Sequence, residues 1–112
     1  MYGIVKENAT GAAAIAASLT VPAGNIYQLV AVSVHLDAAP TTAEDLTVTL
    51  NSAAGAEYDV LLYILDPSIA SVTDIFWQAD NPVYLGAGDA IDVAYTNTDT
   101  GTYGVQIVAR RV

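Results

Sequence analysis

The chain has 112 residues, 54% hydrophobic and 13% charged, with a formal net charge of −9 and no Cys. Its bases are Lys6, Arg110 and Arg111, and every acid lies in the base-free span 7–109. That distribution excludes nucleic-acid binding and attraction to an anionic membrane, which both need clustered bases, and the missing Cys excludes disulfides, thiolate metal sites and Cys nucleophiles.

The length predicts one domain, 1–112, with one core. A charged share near one residue in four is about usual, so this surface is poor in ions and suits an assembly. The opening MYGIVKENATG lacks the charged-then-apolar order of a secretory signal, and AAAIAA at 12–17 is too short to cross a bilayer. The expectation is a protein used without signal-peptide export.

Period-two patterning predicts strands near 2–7, 12–20, 26–37, 45–50, 57–66, 73–78 with 82–85, 90–96 and 102–111. In 9–19, ATGAAAIAASL, alanine propensity favours helix, but Leu19, Thr20 and Val21 run into Pro22 and favour a strand in the second half. Val30, Val32, Val34 and Leu36 alternate with Ala31, Ser33 and His35; Leu46, Val48 and Leu50 alternate with Thr47 and Thr49. Tyr58 to Leu65 is apolar on both faces, which predicts a central strand. Tyr103, Val105, Ile107 and Ala109 alternate again at the end. Turn signals recur roughly every ten residues, as in PAGN, AAPTT, SAAGA and NTDTG. The fold class is all-β: a single β-sandwich, jelly-roll-like, with about eight strands.

The most site-like glycine cluster is GAGD at 86–89. A dinucleotide fingerprint needs a third glycine and a following helix, and a phosphate loop needs a lysine. Here a strand-like AIDVAYTN follows, so GAGD reads as a turn whose glycines supply positive φ.

Ser33, His35 and Asp37 share a face if the strand is regular. Alternate residues lie roughly 6.6 Å apart along a strand, while a nucleophile and its base must come within about 3 Å. His35, the single histidine, therefore reads as a surface or interface residue. The acids are scattered and none shows the spaced loop pattern that calcium needs. No catalytic, cofactor or metal residue is assigned. Phe76 and Trp77 are adjacent, so one ring faces out; an outward Trp77, with Tyr84, is a candidate anchor or sugar platform, and the commoner arrangement is one ring packed in the core with the other capping a loop. Pairing of the first and last strands would gather Lys6, Arg110 and Arg111 into a basic patch that could meet an acidic partner surface; the alternative is simple solvation of the two termini.

One resemblance covers residues 26 to 109. It is carried by YQLVAVSVHLDAAPTTAEDLTVTLNSAAGAEYDVLLY (27–63), by VTDIFWQADNPVYLGAGDAIDVAYTNTDTGTYGVQIV (72–108) and by the spacing between them. In that order of motifs the chain resembles a family of small proteins encoded among the virion genes of tailed bacteriophages. The resemblance implies a β-sandwich or jelly-roll accessory protein made in the bacterial cytoplasm and located in the virion. It implies a capsid cement or decoration protein bound to the major capsid protein, as a homotrimer on local three-fold axes. Its alternative is a carbohydrate- or receptor-binding module on a fibre or tail tip. It brings no catalytic residue.

Overall fold

Alternation of apolar and polar residues sorts the chain into strands with one buried face. In a computed structural model, which describes residues 3–112, the strands are β1 (Gly3–Gly11), β2 (Ile15–Thr20), β3 (Tyr27–Leu36), β4 (Leu46–Asn51), β5 (Val60–Leu65), β6 (Asp74–Leu85), β7 (Ala90–Tyr95) and β8 (Tyr103–Arg111). A four-residue helix, α1 (Pro67–Ala70), links β5 to β6. The expected start of the first strand at Tyr2 lies outside the described residues.

The strands form two four-stranded sheets, ordered β1-β8-β3-β6 and β2-β7-β4-β5, with every neighbouring pair antiparallel. Apart from the β4–β5 hairpin, each connection passes from one sheet to the other. That is jelly-roll order, the double-sheet solution that buries one face of each sheet against the other. Leu36, Val32 and Ile107 from the first sheet meet Leu46, Ile91 and Val93 from the second, all fully buried.

Several expectations need correction. The first strand runs on to Gly11 rather than ending near 7, and Ala12–Ala14 form a corner; the strand expected in the second half of 9–19 is present as β2, which buries Ile15, Ala17 and Leu19 in strict alternation. Burial of that face outweighs alanine's preference. Val30 does not share the buried face of Val32, Val34 and Leu36. A bulge between Leu29 and Ala31 changes the phase, so Tyr27 and Leu29 are buried and Val30 is only half-buried. The pieces at 73–78 and 82–85, expected together as one strand, are joined as expected in β6, which also takes in 79–81, where its pairing to β3 breaks between Gln78 and Val83. Finally, the apolar stretch ending at Leu65 is not central. β5 lies at the edge of its sheet, and Ala56–Tyr58 is a 3-10 turn.

Each end of the sandwich is closed by a polar side chain bonded to backbone. GAGD is a turn: Asp89 donates its N–H to the Gly86 carbonyl (3.1 Å) and accepts on its carboxylate from the N–H groups of Gly86 (2.9 Å) and Ala53 (2.8 Å). Gly88 has φ +87 and donates to the Val21 carbonyl (2.9 Å). An added Cβ there would stand 3.0 Å from the Ala53 Cβ. At the opposite end Asn97, 4% exposed, donates to the carbonyls of Ala13 and Gly101, both at 2.9 Å.

Gly88→Ala is expected to lower unfolding free energy by about 1–2 kcal/mol through left-handed backbone strain and the clash with Ala53. Asn97→Ala is expected to cost about 1–3 kcal/mol by leaving buried carbonyls unpaired. Urea unfolding of the two variants beside the wild type measures both; values within 0.5 kcal/mol of wild type, about the level of neutral surface changes, would contradict these roles.

Candidate functional site

The outer face of the first sheet is a grid fixed by strand register. One row reads Ile4, Arg110, Gln28, Tyr84; the next runs from Lys6 through Val108 and Ala31 to Gln78. A third row holds Asn8, Gln106, Ser33 and Phe76, and a fourth Thr10, Gly104, His35 and Asp74. Lys6, Arg110, Tyr84 and His35 thus share this face. Arg111 lies in the opposite phase, across from Gly3 and Tyr27, and is exposed because the sheet ends there. The paired terminal strands bring the three bases to one corner, where Arg110 donates to the Gln28 side-chain oxygen (3.2 Å).

Trp77 is not the outward ring. Its register opposite Val32 turns it inward, where it stacks on Tyr63 of β5 with centroids 6.0 Å apart and planes at 25°. This pair closes the mouth between the two sheets. Phe76 is the ring that faces solvent, 68% exposed. Period two dictates that adjacent rings take opposite faces but leaves open which ring points in.

The flank formed by β5 and β6 exposes apolar groups on both faces of the sandwich, Phe76 on the outer side of the first sheet and Leu61 and Ile64 on that of the second. Tyr58, Val60, Leu61 and Ile64 are exposed along and before β5, and Ile69 on α1 is 82% exposed. Isolated exposed apolar residues are ordinary; a contiguous set on an edge strand marks a contact surface. Edge strands are usually blunted by Lys, Pro, charges or bulges. β6 has such guards, with Asp80, Pro82 and a broken register. β5 reads VLLYIL, without charge or proline, and its one irregularity is a bulge at Leu62. Its outward side chains, Leu61 and Ile64, stand beside Thr49 and Thr47 of β4.

The acids act chiefly on loop backbone. Asp99 accepts from the N–H groups of Thr41 (2.6 Å) and Thr42 (3.2 Å) and from the Thr42 hydroxyl, and these bonds hold its carboxyl down at about 2. Glu44 accepts from the Thr98 N–H (2.9 Å) and hydroxyl (2.6 Å). Ser68 bonds depress the Asp66 carboxyl. Among the described residues no group of three His, Cys, Asp or Glu side chains is placed to hold a metal ion.

His35 pairs with Asp74 through Nδ1 at 2.5 Å, and this hydrogen bond lowers the Asp74 carboxyl below its ordinary value. Asp37, the nearer acid in sequence, donates its N–H to the Thr102 carbonyl instead. Asp74 carries no local signal, since only the β3–β6 register brings it across from His35. Beside His35 a shallow depression of about 320 Å³ opens over Gly104, bordered by Asn8, Ser33 and Gln106. Both members of the pair are well exposed, at 66% and 75%, so water screens the interaction.

An unfolded Asp titrates near 3.8, against about 2 for Asp99 in the fold. Its stabilisation is therefore complete above the unfolded value and disappears as pH falls from 3.8 toward 2. Thermal midpoints across that range are expected to fall more gently for Asp99→Asn than for wild type; parallel curves would remove Asp99 from the acid limb. No known family model matches this chain, and neither does any curated protein.

Proposed function

We propose that this chain is a non-enzymatic virion structural protein that decorates and cements a bacteriophage head. Its partners are the major capsid protein and sister copies of itself in a homotrimer. The observation that carries the reading is the exposed apolar flank of β5 and β6, with an uncharged edge strand at its centre. A surface of that kind is at rest only when covered. The resemblance of residues 26 to 109 to virion accessory proteins supplies the setting, and the jelly-roll order supports it. A rigid sandwich held at both ends by backbone-bonded side chains suits a role in which the protein must keep its shape on a shell.

Phage heads lacking this protein provide the test. Added wild-type chain is expected to sediment with them and raise the temperature at which they release DNA. Leu61→Ser with Ile64→Ser, two exposed changes, is expected to weaken that binding by about tenfold or more while leaving the subunit folded. Heads that neither bind the wild-type chain nor gain stability from it would overturn the proposal.

A second reading, a carbohydrate-binding module on a fibre or tail tip, is favoured by one row of the grid. Asn8, Gln106 and Ser33 line up with the exposed Phe76 ring. Polar groups beside an aromatic face are what a sugar ring needs. On this reading Phe76→Ala, not Trp77→Ala, abolishes glycan or host-cell binding without unfolding the protein. Intact binding in Phe76→Ala would exclude it.

A further inference from the structure

Charge is segregated by flank in this molecule. β1 lies over β2 on one side of the sandwich, and the Tyr63–Trp77 stack holds β5 beside β6 on the other. All three bases sit on the first side, on β1 and its neighbour β8. The second side carries Glu57, Asp59, Asp66, Asp74 and Asp80 and no base. Among the described residues the one ion pair is His35 with Asp74, so the corner bases meet no carboxylate within the subunit. Glu7, the acid on β1, takes the other face of that strand, opposite Ile107.

Height along the strands matters as much as side. Arg110 shares a row with Tyr84 at the end of the sandwich where residues 21–26, 52–59 and 86–89 gather. Glu57 belongs to that end, and Asp80 lies in the β6 interruption between Gln78, in the Lys6 row, and Val83. Bases and acids therefore stand at about the same level on opposite flanks. Rotation about an axis parallel to the strands keeps every level fixed, so such a rotation is compatible with the basic corner of one copy meeting the acidic flank of the next.

We propose that this head-to-tail contact occurs: the corner of Lys6, Arg110 and Arg111 seats on the β5–β6 flank of a second copy, against Glu57 and Asp80, and repetition closes a ring. The proposal rests on the self-assembling reading above and adds which surfaces meet. A two-fold contact would set bases on bases or acids on acids, because each patch then faces itself. In a chain of net charge −9 the acidic flank repels its own copy, and the basic corner is its one complementary surface. The contact also covers apolar groups on both sides: Ile4 and Val112 beside the bases, and Tyr58 and Val60 next to Glu57 on the receiving flank.

The test is the solution mass of the full chain, by light scattering and native mass spectrometry, with no shell present. Lys6→Glu with Arg110→Glu, and separately Glu57→Lys with Asp80→Lys, are each expected to weaken association about tenfold or more. The four changes together are expected to restore the wild-type mass, since the charges are exchanged rather than lost. All four positions are exposed, and thermal melts confirm that each variant is folded. A wild-type chain that stays monomeric at high concentration overturns the ring, as do masses that ignore both pairs of changes or a four-fold variant that stays dissociated. Failure here is separable from failure of the shell reading: a monomer that still binds heads removes only the ring, and a ring that ignores heads removes only the shell.

Discussion

Both sheets depend on the last third of the chain. β8 lies between β1 and β3, and β7 lies between β2 and β4. β1 has no strand partner except β8, and β2 none except β7, among the described residues. Gly3 therefore waits for Arg111, and Ile15 for Tyr95. Until residues 90–111 are in place, neither sheet has a centre and two strands have nothing to pair with. Such pairing spends chain entropy before it returns any burial, the condition under which β-proteins fold slowly and as a unit.

The near absence of bases shapes how the loops are held. With no Lys or Arg between 7 and 109, acids satisfy themselves on N–H and hydroxyl groups. Asp89 gathers two loops and its own turn, Asp99 holds Thr41 and Thr42, Glu44 holds Thr98, and Asp92 accepts from Ser18 and Asn51. Salt screens ion pairs between exposed charges strongly, whereas short hydrogen bonds to backbone depend less on it. The ends of the sandwich thus keep their form over a wide range of ionic strength, whereas the proposed contact between subunits, which would join opposite charges, would be weakened by salt.

The sequence made strand number and most boundaries legible, because alternation such as Ile15, Ala17, Leu19 is a local signal that survives into the fold. It also made GAGD legible as a turn, since a strand rather than a helix follows it. What escaped was relational. VLLYIL has the composition of a central strand and lies at an edge, because strand order is set by partners far away in sequence. Val30 fell out of phase through a bulge that shifts β3 against both neighbours. Phe76, not the candidate Trp77, is the ring that faces out, because period two fixes alternation and not phase. The three bases came together as the pattern of the terminal strands suggested, although Arg111 took the opposite phase.

Away from the β5 edge, the outer face of the second sheet presents Ala16, Ser18, Thr47, Thr49 and Ala94 around Asp92, short side chains with few rotatable bonds. Long flexible groups resist being covered because contact freezes their rotamers, at a cost of roughly 0.5–1.5 kcal/mol each. Short ones have almost no such freedom to give up. Covering this face would therefore freeze few rotamers, whatever surface came against it.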